Sequence, residues 1–246
     1  MDRRKFLLFS SALLTTPAFG VTKTSNDIYI SKNDIKEFYS IKRKLNQIQN
    51  IVGYANFNII SFDEILKIAK LYSKVGSFTK KELDLIEFLF YTPAEKFGFL
   101  GERTIDKITN KISKKDIIKI KHTGHFVYKG ESYNIYSKMI KDVENIRLTS
   151  GIRNVPKQLR LFVNKIDKCH LNISKASFSI APPGYSYHSV SDFDVGKIGW
   201  GWANFTSRFA QTKEFSEIRH LNYVGIRYRQ YNQFGVRFEP WHIKVI

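Results

Sequence analysis

Apolar residues in the first half of the chain recur at helical intervals. Between about Asn33 and Ile112 two capping boxes, Ser61-Phe-Asp-Glu64 and Thr79-Lys-Lys-Glu82, open the apolar-periodic stretches 65–71 and 83–90, so three or four short helices are predicted. Beyond Lys115 the period changes. Residues 117–120 and 126–128 read as strands around Thr123-Gly124, 129–131 as a hairpin turn, 136–143 as a short helix and 146–149 as a strand. Pro156 stands where a helix begins, and 159–166 carries the apolar face of that helix. Residues 177–180, 193–195, 225–228 and 236–245 supply further strands, with a helix near 204–210. Strands and helices are mixed rather than strictly alternating, which predicts an α+β fold with a largely antiparallel sheet, preceded by a small helical region. No internal repeat or low-complexity linker interrupts it.

The first twenty residues follow another pattern: Arg3, Arg4 and Lys5, an apolar run to Leu14, then small residues at Ala18 and Gly20. That is the layout of an export signal. The paired arginines before Lys5-Phe6-Leu7 resemble a twin-arginine signal, which implies export of a folded, metal-loaded protein, with a general secretory signal as the alternative. No later stretch approaches the roughly 20 apolar residues of a membrane span, so the mature chain is expected to be soluble, in the periplasm or at the cell wall. The expected organisation is an export signal over 1–20, a helical region over 21–114 and a catalytic domain over 115–246.

Composition adds three constraints. Hydrophobic residues make up 43% of the 246, enough for a sizeable core, and Cys169 is the single cysteine, so no internal disulfide forms. The formal charge of +18, about +16 without residues 1–20, suits polyanionic partners. No basic stretch is interleaved with aromatics in the manner of a nucleic-acid module, so wall polymers are the expected polyanions.

Three segments carry candidate chemistry, all in the second half. Thr149-Ser150-Gly151-Ile152-Arg153, with Gln158 five residues on, places an Arg beside a helix start, suited to a carboxylate or a developing oxyanion. Pro182-Pro183-Gly184-Tyr185-Ser186-Tyr187-His188 is a rigidified loop that delivers His188, and the following strand delivers Asp194, with Asp192 on the same side by the strand period of two. Glu239-Pro240-Trp241-His242 can hold a metal ligand and a general base close together while the indole walls the pocket. One His, one Asp and a distant second His make a three-ligand zinc site with an open position for water.

In this order and near these separations, Ser150-Gly151-x-Arg153 with Gln158, Ser186-x-His188 leading to Asp194, and Glu239-Pro-Trp-His242 resemble the VanY-type D-alanyl-D-alanine carboxypeptidases, within the wider group of lysostaphin-like and hedgehog-like zinc folds. The similarity covers roughly residues 115–246. It implies Zn²⁺ held by His188, Asp194 and His242, Glu239 as general base, and Arg153 on the substrate's carbonyl or terminal carboxylate. Ser186, Gln158 and Trp241 would line the site. The implied activity is hydrolysis of a peptide bond in the peptidoglycan stem peptide, with the terminal D-Ala-D-Ala link as first choice. An endopeptidase, an L,D-carboxypeptidase and a non-catalytic wall-binding protein of the same fold are the alternatives. Asp194 follows His188 by six residues, one fewer than the family's usual spacing, so Asp192 stands as second choice for the carboxylate ligand.

Other polar and aromatic residues have plainer readings. His122 and His125 have a metal-like spacing, but a Gly-containing turn with two polar rings is the preferred account. Trp200 and Trp202 are read as packing residues, and Cys169 as a quiet residue at a helix end.

Overall fold

The computed structural model describes residues 27–246; the export-signal reading lies outside the described residues. Helix α1 spans Ile35–Val52 and buries Phe38, Ile41, Lys44, Leu45 and Ile48, spaced at three and four, along one face. It is a single helix of 18 residues, longer than the short helices predicted, and stops at Gly53 with φ 82°. Helix α2 (Tyr54–Phe57) follows directly. Helices α3 (Phe62–Leu71) and α4 (Lys80–Tyr91) begin at Ser61 and Thr79, and both capping boxes are present as expected. Lys44 Nζ is buried but satisfied, at 2.6 Å from Glu82 Oε2 and 2.7 Å from the Ser77 carbonyl, which ties the α4 cap to α1.

This helical layer shares its core with the second half of the chain. Leu159, Phe162, Val163 and Ile166 of helix α6 (Val155–Lys168), and Ile173 and Ala176 of α7 (Ile173–Ser177), pack in one cluster with Phe38, Ile41, Ile86 and Phe90. Asn154, which caps α6, donates from Nδ2 to the Ile60 carbonyl at 2.9 Å and from its backbone to the Asn58 carbonyl at 2.8 Å. The helical region is thus stitched to the segment that carries Arg153.

The other layer is a four-stranded sheet, β3 (Ile146–Ser150), β4 (Phe193–Lys197), β6 (His242–Val245) and β5 (Val224–Ile226) in that order, antiparallel throughout. A separate hairpin of β1 (Ile117–Ile120) and β2 (His125–Tyr128) lies beside it, and helix α5 (Glu131–Asp142) closes a second core around Phe193, Val195, Met139 and Ile243. Among the described residues no helix is long and apolar enough to cross a membrane.

Several local expectations change. The turn at 129–130 leads into α5, which begins at Glu131, rather than closing a hairpin. Residues 177–180 are the end of α7 and a turn, because Asn172 caps that short helix by accepting from the Lys175 amide. Only His242–Val245 of the expected strand 236–245 joins the ladder. Pro240 lacks an N–H, and the Arg237 and Glu239 amides go to the Phe178 and Tyr228 carbonyls outside the sheet. The stretch near 204–210 forms two 3₁₀ turns, followed by helix α8 (Lys213–Arg219), which the apolar pattern did not reveal.

Gly151 leaves β3 beneath the β2 hairpin strand, and a Cβ there would lie 2.0 Å from the Phe126 carbonyl oxygen. That oxygen already accepts from the Ile152 amide at 2.8 Å, so the two backbones cannot separate cheaply. Gly151→Ala is therefore expected to destabilise the protein by about 1–3 kcal/mol, the usual scale of overpacking. A melting curve unchanged from the parent would count against this close approach.

Candidate active site

The sheet register sets three side chains in a row. Ser150 of β3 pairs with Asp194 of β4, and Asp194 pairs with His242 of β6. Directly opposed residues on neighbouring strands project to the same face, so motifs far apart in sequence converge there. His188 joins them from the loop before β4, on a 3₁₀ turn (Tyr187–Ser189). Thr104 clamps that loop by donating from Oγ1 to the Gly184 and Ser186 carbonyls, both at 3.1 Å, and Arg103 stacks on Tyr185 at 4.5 Å.

The tautomer of each ring follows from its fixed partner. His188 Nδ1 lies 2.9 Å from the Gly151 carbonyl, which can only accept, so Nδ1 carries the proton and Nε2 presents a lone pair. Burial, aided by Arg153, pushes His188 down to about 4, which keeps the ring neutral. His242 Nε2 lies 3.1 Å from Asp192 Oδ2, so its proton is on Nε2 and Nδ1 faces inward. Burial opposes charge on His242, but Asp192, Glu239 and Asp194 outweigh it and raise the ring to about 9. The inner edge of this site therefore favours a cation.

Asp194 has two different oxygens. Oδ2 accepts from Arg153 Nη2 at 2.6 Å, while Oδ1 lies 3.2 Å from His188 Nε2 and 3.6 Å from His242 Nδ1. Neither Asp194 Oδ1 nor His188 Nε2 has a hydrogen-bond partner, although both are buried. Burial works to raise this carboxyl, yet His188, Arg153 and His242 hold it well below the usual carboxylate range. His188, Asp194 and His242 each offer one ligand atom, all within 4.8 Å of one another. Two imidazole nitrogens and one carboxylate oxygen, turned together, fit a divalent zinc ion, which would displace the proton that the surrounding carboxylates otherwise favour on His242.

Asp192 is placed otherwise. Arg227 donates to it twice, at 2.7 and 3.0 Å, His242 Nε2 once and the Val245 amide at 3.3 Å, so its oxygens are engaged in holding His242. Arg227 in turn stacks over Tyr187 at 4.0 Å. Glu239 Oε2 lies 3.5 Å from His242 Nδ1 and Oε1 3.6 Å from Arg237 Nε, and the carboxylate borders the open cavity.

That cavity, of about 280 Å³, is also lined by Arg153, Gln158, Ser186 and Trp241. The site residues expected from sequence are thus brought to one place. Their contacts are more specific than the sequence implied: Arg153 is held on Ser150 Oγ at 2.9 Å as well as on Asp194. Gln158 donates to the Ala181 carbonyl at 2.6 Å, bracing the proline loop. His122 and His125 do not form a pair: His122 is exposed, while His125 is buried with Nε2 3.1 Å from Tyr54 Oη. Burial pushes His125 down to about 3, so it is a neutral packing residue. Trp202 is exposed, contrary to its reading as a packing residue, because it stands on a surface 3₁₀ turn, and Cys169 is buried at the end of α6.

Sequence reasoning missed Arg227, Tyr54 and Lys157. Arg227 sits just past a short strand with nothing to mark it. Tyr54 comes from the helical half, and Lys157 adjoins Gln158 inside a recognised motif, yet both line the cavity. Lys157 is 3% exposed, and burial, followed by Arg153 and Arg160, pushes its amine down to about 7. Between pH 7 and the ordinary value of 10.5 the folded form is neutral while the unfolded chain still binds a proton, so this group's contribution to stability rises with pH. Lys157→Met is accordingly expected to melt above the parent near neutral pH, with the gap closing toward pH 10.5. A gap that widened with pH would contradict this burial effect.

Residues 130–246 match the family model of VanY, D-alanyl-D-alanine carboxypeptidase. Solved structures similar to this chain include VanYB in complex with D-Alanine-D-Alanine, at 20% identity and TM-score 0.40, covering 53% of this chain and 76% of that one. A vancomycin-resistance D,D-pentapeptidase VanY in complex with Zn(II) is 19% identical with TM-score 0.39, covering 52% and 77%. The LdcB LD-carboxypeptidase is 20% identical with TM-score 0.41, covering 60% and 66%. No curated protein matches the chain. The family match spans residues 130–246, and the helical layer packed against this segment lies outside it.

Proposed function

We propose that this chain is a zinc-dependent carboxypeptidase that removes the terminal D-alanine from the peptidoglycan stem peptide. The observation that carries the reading is the inward turn of His188 Nε2, His242 Nδ1 and Asp194 Oδ1, each with its opposite atom committed to a protein partner. Those three residues would hold the metal. Bound zinc would supply a Lewis acid that acidifies the attacking water and polarises the scissile carbonyl. Glu239, beside His242 and open to the cavity, takes the proton from that water and passes it to the leaving amine. Arg153 keeps Asp194 oriented and sets positive charge where the oxyanion develops. Trp241 and Ser186 shape the walls, and the basic surface suits an exported protein working among anionic wall polymers.

The test is zinc content together with product analysis on purified stem pentapeptides. The expected result is about one zinc per chain and release of free D-alanine with a tetrapeptide product. A zinc-loaded chain that releases nothing from any peptidoglycan fragment would make it a binding protein of the same fold.

A further inference from the structure

Among the described residues two lysines, Lys44 and Lys157, are buried with nearly equal thoroughness and treated differently. Lys44, 4% exposed, has Glu82 and the Ser77 carbonyl as acceptors. Lys157, 3% exposed, has none: among the described residues no carboxylate lies within ion-pair distance of its ammonium. Its neighbours are the Tyr54 ring, with Nζ 4.3 Å from the centroid, and two further cations, Arg153 and Arg160. A buried ammonium without an anion is costly, and proteins retain one chiefly where a ligand completes it.

The surroundings make this a built site. Lys157 and Tyr54 line the same cavity as His188, Asp194 and Glu239. Tyr54 is held by its hydroxyl 3.1 Å from His125 Nε2 and by its ring against Gly124, where a Cβ would lie 3.1 Å from the ring. Gly124 has φ 73°, so the hairpin turn can approach the ring closely. Arg153 is already engaged by Asp194 and Ser150, and Arg160 by Asn46 at 2.8 Å. Arg237, another cation on the cavity wall, faces Glu239 Oε1 at 3.6 Å and the Phe205 carbonyl at 3.3 Å, so Lys157 is the lining amine that no protein acceptor engages among the described residues.

We infer that Lys157, backed by Tyr54 from the helical layer, is the subsite for the substrate's C-terminal carboxylate, and that it restricts the enzyme to terminal residues. This rests on the carboxypeptidase reading above and names a recognition residue for it. The helical layer then has a function at the site: it supplies the aromatic face that holds the ammonium in place.

The test uses the zinc-loaded Glu239→Gln variant, which should bind peptides without cutting them, and calorimetry with three stem pentapeptides. One carries its free C-terminal carboxylate, one is amidated there, and one is amidated instead at the inner glutamate carboxylate. The free acid should bind about tenfold or more tighter than the C-terminal amide, the scale of a charge-assisted hydrogen bond, with the inner amide unaffected. Adding Lys157→Met should shrink that preference to within about twofold, and Lys157→Arg should keep most of it. Lys157→Met removes a desolvated charge and keeps the apolar stem, so it should fold; retained zinc and an undiminished melting temperature check this. An acid preference that survives Lys157→Met, or one that follows the inner carboxylate, overturns the assignment. If the wild-type chain cuts no stem peptide while the preference still depends on Lys157, the proposed reaction fails and the carboxylate subsite stands.

Discussion

Glu239→Ala is expected to yield a folded protein that keeps its zinc and loses turnover by a factor on the order of 10²–10⁴, the usual worth of a general base. The three donor atoms belong to other residues, and the Glu239 backbone contacts, amide to Tyr228 and carbonyl to the His242 amide, do not involve its side chain. His242→Ala should differ in kind. It removes one of the three donors and leaves Asp192 facing Arg227 and the Val245 amide, so zinc should be lost along with activity. Metal analysis of the two purified variants, with D-alanine release measured alongside, separates them. Near-normal turnover in Glu239→Ala would sink the assignment of the base.

The second large effect distinguishes two carboxylates two residues apart. Asp194→Ala should strip zinc at modest chelator concentrations, because Oδ1 is the carboxylate oxygen that faces both His188 Nε2 and His242 Nδ1. Asp192→Ala should retain a zinc site weakened about 10- to 100-fold, the usual effect of removing the group that orients a ligating histidine. It should also be the more destabilising change, by about 1–3 kcal/mol, because it leaves the partly buried Arg227 without its bidentate partner. A chelator titration and a melting curve for each variant give the comparison. Zinc held tightly by Asp194→Ala and lost by Asp192→Ala would move the ligand to Asp192.

The reason for the difference was not visible in the spacing. A strand period of two puts both carboxylates on one face, but Asp192 lies just before β4 begins at Phe193, so the period does not apply to it. The two residues instead reach opposite nitrogens of the same ring, Asp192 at Nε2 and Asp194 at Nδ1.

The sequence by itself determined what depends on neighbours a few residues apart. Ser61 with Glu64 and Thr79 with Glu82 start helices because each hydroxyl and carboxylate satisfies backbone groups within one turn. The motifs around Arg153, His188 and His242 name the residues that meet at the site, since a tight turn, a rigid proline loop and a strand end present their side chains in any context. Tertiary structure decided the rest. It was the register Ser150, Asp194, His242 across three strands that turned separate motifs into one site. The helical region was brought into the core of the second half through α6, so that Tyr54 could meet His125 and Lys157. Tyr54 has no local signature and stands 71 residues from His125. Packing alone, which buries whichever faces fit together, made it part of the cavity.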